Sequence, residues 1–397
     1  MPNAPDRNFD MSIPFDEVEY APVAGDSDLR EAVAKYYNHL YRNNIPSKYT
    51  AENICIVPGG RAGLTRIMAI LGHVQVGYFT PDYTAYEQAL NLFTRINPTQ
   101  YVHRDVNEAL MPPEEFEFQT VGRGVGAVLF SNPCNPTGQS LEGGDLKRYV
   151  QIARDNGTVL LMDEFYSHFY YDGEGVDPVD GGPDDDSNWP KSVSSSSFIE
   201  DVNKDPVVIV NGLTKNWRCP GFRVCWIVAP ERIIRMLTSA GSFLDGGANA
   251  PLQKLALPLM DIDFIRKDTW ALQRHFRAKR NFLLRELSRL GIKVALKPSA
   301  TFYIWADLSL LQPPLNDCLV FFEECIRAKV ICVPGVFFDV NPGHLRNVKR
   351  SKCISHVRFS YGPPMHTLTQ GVEQIEKVIE RWTGGDSKHQ KFSSCRF

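Results

Sequence analysis

The stretch Val207-Val-Ile-Val-Asn-Gly-Leu-Thr-Lys215-Asn-Trp-Arg-Cys-Pro-Gly-Phe-Arg223-Val-Cys-Trp-Ile-Val-Ala-Pro230 decides the reading of this chain. Two apolar, β-branched runs, Val207–Val210 and Val224–Val228, flank a polar turn that carries one lysine and two arginines before the second run. Apolar runs this short read as buried strands, so the turn between them is held at strand ends. A lysine fixed there is partly desolvated, which lowers its pKa and frees an amine for Schiff-base chemistry. Arg223, eight residues after Lys215, carries a planar fork of donors that suits a phosphate. On this stretch alone, an ordinary hairpin with a solvated lysine is the simpler reading.

Upstream, the same grammar of short strand and functional turn repeats. Asn53–Val57 is a short apolar run followed by Pro58-Gly59-Gly60-Arg61-Ala62-Gly63 and a helical pattern of Leu64, Ile67, Met68 and Leu71. A strand, a glycine turn and a helix N-terminus form a cradle of backbone N–H groups for an anion. The turn is neither G-x-G-x-x-G nor a Walker loop, so a dinucleotide or ATP is not indicated. Gly77–Thr80 runs into Pro81-Asp82-Tyr83, with Tyr86 beyond; an aromatic there suits stacking on a flat heterocycle, or simple coverage of the core. Val125–Phe130 leads into Ser131-Asn132-Pro133-Cys134-Asn135-Pro136-Thr137-Gly138, where two Asn-Pro pairs enforce a rigid non-helical turn. Asn135 could offer its amide to a ligand or close an Asx turn. Thr158–Met162 runs straight into Asp163-Glu164-Phe165-Tyr166. An acid at a strand's C-terminal end is either a helix cap or a ligand group of an open α/β sheet. Near the start, Tyr20 precedes Gly25, and Ser27 with its neighbouring acids can cap a helix from Leu29 to about Tyr41.

Beyond Pro230 the pattern turns helical. Ile262–Leu290 is dense in Lys and Arg, with Ile265, Leu272, Phe276 and Leu283 recurring, which predicts one or two long amphipathic helices. Pro298–Trp305, Val330–Pro334 and His356–Ser360 read as strands of a smaller α+β unit, with a domain boundary near residue 268. The expected division is an N-terminal arm 1–14, a large domain 15–268, a small domain 269–385 and a flexible tail 386–397. Residues 172–206, with acidic and Ser-rich segments, are expected to form a mobile surface loop. At 397 residues the chain can bury a large core in two domains. A net charge of −3 without a basic stripe argues against nucleic-acid binding. No apolar run reaches membrane-span length, and the first residues lack the apolar core of a signal peptide. Nine scattered cysteines without a C-x-x-C pair point to reduced thiols, a cytoplasmic protein and no metal site.

Each signal is common alone; their order and spacing are not. Tyr20 with Gly25, the Gly60 turn, Tyr83, Asn135-Pro-Thr-Gly138, Asp163 with Tyr166, Lys215 with Arg223, then Arg358 together resemble fold-type-I pyridoxal-phosphate enzymes. More narrowly, the chain resembles the class I/II aminotransferase group, which includes aspartate and aromatic aminotransferases and aminocyclopropane-carboxylate synthase. The resemblance implies an α/β fold: a large domain binding pyridoxal 5'-phosphate, with a mostly parallel central sheet flanked by helices, plus a smaller α+β C-terminal domain. It implies that Lys215 holds the cofactor as an internal aldimine and then acts as the base at Cα. Asp163 would pair with the pyridine nitrogen, Tyr166 and Asn135 with the ring's phenolic oxygen, and Tyr83 with the ring face. Gly60, Arg61 and Ala62 would cradle the phosphate through backbone donors, with Thr214 nearby and Arg223 as a clamp. Tyr20 would reach the phosphate of a neighbouring subunit, implying a homodimer with shared sites. Arg358, beside Asn135, would bind the substrate α-carboxylate.

Four departures stand out. Gly212 occupies the position, three residues before the lysine, where the family commonly has Ser or Thr, so a hydroxyl contact to the phosphate is lost unless Thr214 or Arg61 compensates. The N-terminal segment is short, leaving Met1-Pro2-Asn3 as the only remnant of a Gly-x-Pro turn, and the loop between Tyr171 and Pro206 is long. Residues 236–253 contain no Arg or Lys, which favours neutral or aromatic amino acids over dicarboxylates. The expected reaction is transamination between an amino acid and a keto acid. The alternatives are a PLP-dependent lyase, cyclase or γ-substitution enzyme, and a catalytically silent PLP-binding scaffold.

Overall fold

The computed structural model describes residues 1–8, 19–102, 110–171 and 189–383. The larger sheet has seven strands: β1 (Ile54–Val57), β2 (Val74–Tyr78), β3 (Ile96–Gln100), β4 (Ala127–Ser131), β5 (Val159–Asp163), β6 (Val207–Gly212) and β7 (Cys225–Val228). They lie in the order β1-β7-β6-β5-β4-β2-β3. Only β7 runs against its neighbours, pairing antiparallel with both β1 and β6. Helices cover the faces, so β4 and β6 are buried along their whole lengths. That explains why they appear in the sequence as unbroken apolar runs rather than alternating ones.

The second sheet contains β8 (Tyr303–Asp307), β9 (Val333–Pro334) and β10 (His356–Ser360), with β10 central and antiparallel to both others. The strands expected at Pro298–Trp305 and Val330–Pro334 are thus shorter and displaced towards their C-terminal ends. The long helical pattern is one 28-residue helix, Ile262–Arg289. The boundary expected near residue 268 falls inside it. Phe264 and Ile265 join the core beside the large sheet, whereas Leu272, Phe276, Leu283 and Leu287 join the core beside the small one. No described helix is long and apolar enough to cross a membrane.

Two local expectations need correction. The helix Ser27–Tyr41 is capped by one of the expected neighbouring acids, Asp26, whose side chain accepts from the Asp28 and Leu29 amides, whereas Ser27 is its first residue and not its cap. Within the stretch 172–206, residues 172–188 lie outside the described residues, but Ser194, Ser195 and Ser196 are buried. The Ser195 hydroxyl and amide both donate to the fully buried Glu164 carboxylate. A buried carboxylate requires such donors, so this part of the Ser-rich segment is interior structure, not surface loop. The tail expected at 386–397 also lies outside the described residues.

Candidate active site

Strand direction brings residues scattered over the sequence to one edge. β1, β2, β4, β5 and β6 all point the same way, so their C-terminal ends share an edge with the start of β7. That edge carries Gly59 and Gly60 after β1, Tyr83 and Tyr86 after β2, and Asn135 after β4. Asp163 ends β5, with Tyr166 just beyond, Lys215 follows β6, and Arg223 precedes β7. Open α/β sheets bind their ligands at this edge.

Asp163 is buried, and burial pushes its carboxyl up to about 6; hydrogen bonds from Tyr86 and the Phe165 amide and the charge of Lys215 work against the shift. The Tyr86 hydroxyl donates to Asp163 Oδ2 at 2.8 Å, while Oδ1 has only a long 3.4 Å contact with the Phe165 amide. Tyr86 is fully buried, and its role in fixing the acid was not evident from sequence, where it could equally have covered the core. Asp82 was missed altogether. Buried, and pushed up to about 8 by desolvation, it accepts from the Tyr83 amide and the Ser131 amide and hydroxyl. Ser131 Oγ in turn accepts from the Asn135 amide at 3.0 Å. Asp82 therefore ties Tyr83 to the Asn135 turn. Tyr83 is partly exposed and meets Tyr86 edge-on, centroids 5.5 Å apart.

Lys215 is partly buried. Desolvation lowers its pKa, the nearby Arg358 charge lowers it further, and Asp163 opposes both. Its Nζ stands 5.8 Å from the centre of the Phe302 ring. Arg358 reaches in from β10: its Nη1 donates to Asn135 Oδ1 at 2.6 Å, and its Cζ lies 3.9 Å over the Tyr303 ring and 4.8 Å over Phe338. Its Nε is buried without an acceptor. The Tyr166 hydroxyl, also buried, shares a 3.0 Å hydrogen bond with that of Tyr303. Tyr303 and Phe302 thus line the site, though the sequence marked them only as part of a strand.

The glycine turn leads from β1 into a helix. Gly59 has φ 102°, a left-handed conformation open to glycine, and a Cβ there would collide with the Arg223 guanidinium. A Cβ on Gly60 would sit 2.7 Å from the Phe165 ring. Helix Gly60–Ile70 begins at this point, so the first amides, including those of Arg61 and Ala62, lie at a helix N-terminus. Arg61 is exposed, its Nη2 3.4 Å from the Tyr83 hydroxyl. Thr214 Oγ1 lies 3.2 Å from Cys225 Sγ. Tyr20 is 98% exposed, so no other described residue covers it. Arg7, in the N-terminal arm, bonds the Trp217 carbonyl just past Lys215.

The family model described as aminotransferase class I and II matches residues 15–368. The chain belongs to that family. A probable aspartate/prephenate aminotransferase of Aquifex aeolicus is 26% identical over 371 residues, 92% of this chain and 84% of that protein. The aspartate aminotransferase of Pyrococcus horikoshii is 23% identical over 364 residues, 91% and 83% of the two chains. Among solved structures, an aromatic aminotransferase from Pyrococcus horikoshii superposes with TM-score 0.75 at 21% identity, covering 92% of this chain and 89% of its own. The Thermus thermophilus aspartate aminotransferase with maleate gives 0.73 at 23% identity, covering 91% and 84%. This aminotransferase is accordingly a PLP-dependent transferase of fold type I, and the lyase or cyclase alternative is not favoured. The donor set fits the cofactor. The buried Asp163 lacks a cationic partner for Oδ1, as a protonated pyridine would supply, and the side-chain-free cradle with Arg223 suits a phosphate. Arg358, with its unpartnered Nε, suits a carboxylate.

Proposed function

We propose that this aminotransferase moves the amino group of an α-amino acid to a keto acid, with Lys215 holding the cofactor covalently through its amine. The observation that carries the reading is the mutual field of Lys215, Asp163 and Arg358, brought together from β5, β6 and β10. When bound, the cofactor's protonated ring withdraws electrons from the substrate Cα. Asp163 would keep the proton on the pyridine nitrogen, and Tyr86 holds that acid in place. Once the substrate's amino group has displaced it from the cofactor, the Lys215 amine, its pKa lowered by burial, would take the proton from Cα and deliver it to the cofactor side of the new C–N bond. Tyr166 and Asn135 would donate to the ring oxygen, Tyr83 would cover the ring, and Gly60, Arg61, Ala62 and Arg223 would hold the phosphate. Arg358 grips the α-carboxylate through its fork, its plane backed by Tyr303.

The site walls contributed by Tyr83, Phe302, Tyr303 and Phe338 support neutral or aromatic donors. A second reading rests on Arg61, a cation beside Tyr83, and on relatives named for aspartate; it makes the donor a dicarboxylate. Comparing kcat/KM for aspartate, glutamate, methionine and phenylalanine, while following conversion of the cofactor to its amine form, separates the two. A clear preference for aspartate, abolished in Arg61→Ala, would sink the first. Absence of keto-acid release with every donor would sink transamination itself. Exposed Tyr20 supports a homodimer in which it serves the partner's phosphate. Mixing Lys215→Ala with Tyr20→Phe chains should then restore one intact site per hybrid; hybrids that form without recovery would count against it.

A further inference from the structure

The phosphate cradle lacks a hydroxyl at position 212, and the structure shows what stands there instead. Gly212 ends β6 and pairs directly with Cys225 at the start of β7. A Cβ on Gly212 would lie 2.5 Å from Cys225 Cα and 2.7 Å from both Cys225 Cβ and Sγ. The cross-strand pair therefore has space for one side chain, and it comes from 225. The Cys225 sulfur lies 3.2 Å from Thr214 Oγ1, and the Gly60 and Thr214 amides and the Arg223 charge act on it, each favouring its charged form against burial. Gly60 begins the helix whose first amides are free to face an anion, and the Arg223 guanidinium lies against Gly59.

From this arrangement we infer that Cys225 is a phosphate-binding residue of the cofactor site, donating its S–H where a hydroxyl at 212 would otherwise donate. Burial pushes the thiol up to about 11, so it keeps its proton at neutral pH and meets a phosphate dianion as a donor and not as a repelling thiolate. Thr214 cannot take over the role while its hydroxyl is engaged with the sulfur; it orients the thiol. A thiol is a weaker donor than a hydroxyl, so the exchange loosens the grip on the phosphate relative to serine chemistry at the same place.

The test compares two ligands on cofactor-free protein by equilibrium fluorescence titration: pyridoxamine 5'-phosphate and pyridoxamine, which differ only in the phosphate. Cys225→Ala should weaken binding of the phosphorylated ligand by about tenfold, the scale of one hydrogen bond to a charged group. It should leave pyridoxamine binding unchanged. Cys225→Ser should bind the phosphorylated ligand at least as tightly as the native chain. Equal weakening of both ligands in Cys225→Ala would mark the residue as a packing element and overturn the assignment. So would unaltered affinity for pyridoxamine 5'-phosphate, or a serine variant no better than alanine.

Discussion

Asp163→Asn tests the acid at the centre of the site through folding as well as chemistry. In the protein without cofactor, burial raises the Asp163 carboxyl from 3.8 to about 6. The displacement is about two units, and at about 1.4 kcal/mol per unit, ionising this side chain costs the fold about 3 kcal/mol. Below about pH 4, folded and unfolded chains both hold the proton and the cost is absent. Between about pH 4 and 6 the folded chain keeps a proton that the unfolded chain has released, so stability falls as pH rises. Above about 6 the full cost remains. An asparagine keeps an acceptor for the Tyr86 hydroxyl but carries no charge. Urea unfolding of cofactor-free wild type and variant from about pH 4 to 8 should show the variant gaining from near zero to about 3 kcal/mol. Cα-proton exchange by the reconstituted variant should be almost lost, because nothing then keeps the pyridine protonated. A stability difference that stays flat with pH, or a variant less stable than wild type at neutral pH, would refute the account of Asp163 as a buried charge awaiting a cation.

Borohydride reduction of the protein as isolated, followed by peptide mapping, should leave the pyridoxyl group on Lys215; its recovery on another lysine would remove Lys215 from its role. Arg358→Lys should reduce kcat/KM for amino acids by about a hundredfold, the loss of roughly 3 kcal/mol in a charge-assisted two-point contact, while cofactor affinity by titration stays within about twofold. A lysine variant with near-native kcat/KM would show that the α-carboxylate binds elsewhere. Tyr86→Phe should push the Asp163 carboxyl further up, because the donated hydrogen bond that favours the charged form is gone. The pH step in cofactor-free stability described above should then move to higher pH, and an unmoved step would mean that Tyr86 does not support the acid.

β4, β5 and β6 were legible because buried parallel strands leave unbroken apolar runs, each ending abruptly in a polar turn, whereas β3, Ile96–Gln100, is mostly polar and part-exposed and left no such mark. Asp163 is the clearest case: the last residue of β5 belongs both to a strand buried from Leu160 onward and to the sheet edge that carries the candidate site. Lys215 and Arg223 were legible for the same reason, as the two sides of a turn between β6 and β7. β7 returns antiparallel to β6 through that turn. The small domain was read less sharply. Its strands are short and edged by irregular backbone, so a run such as Val330–Pro334 marks a strand without marking its length.

What stayed hidden depends on contacts between distant segments. Tyr86 and Asp163 are 77 positions apart, and nothing in either neighbourhood announces that one hydroxyl serves the other. Glu164 looks ordinary until its burial is known, and only then does Ser195 become its donor and Ser194–Ser196 an interior segment instead of a solvent-facing tract. Gly212 is the most instructive residue. Read along the chain, it is a missing hydroxyl, and the neighbours that invite attention are Thr214 and Arg61. Read across the sheet, it is one half of a pair whose other half, Cys225, fills the space. Register is a property of two strands together. A substitution that looks like a loss in one strand can therefore be a transfer of the side chain to its partner, and deleting the partner's group is the perturbation that tells the two apart.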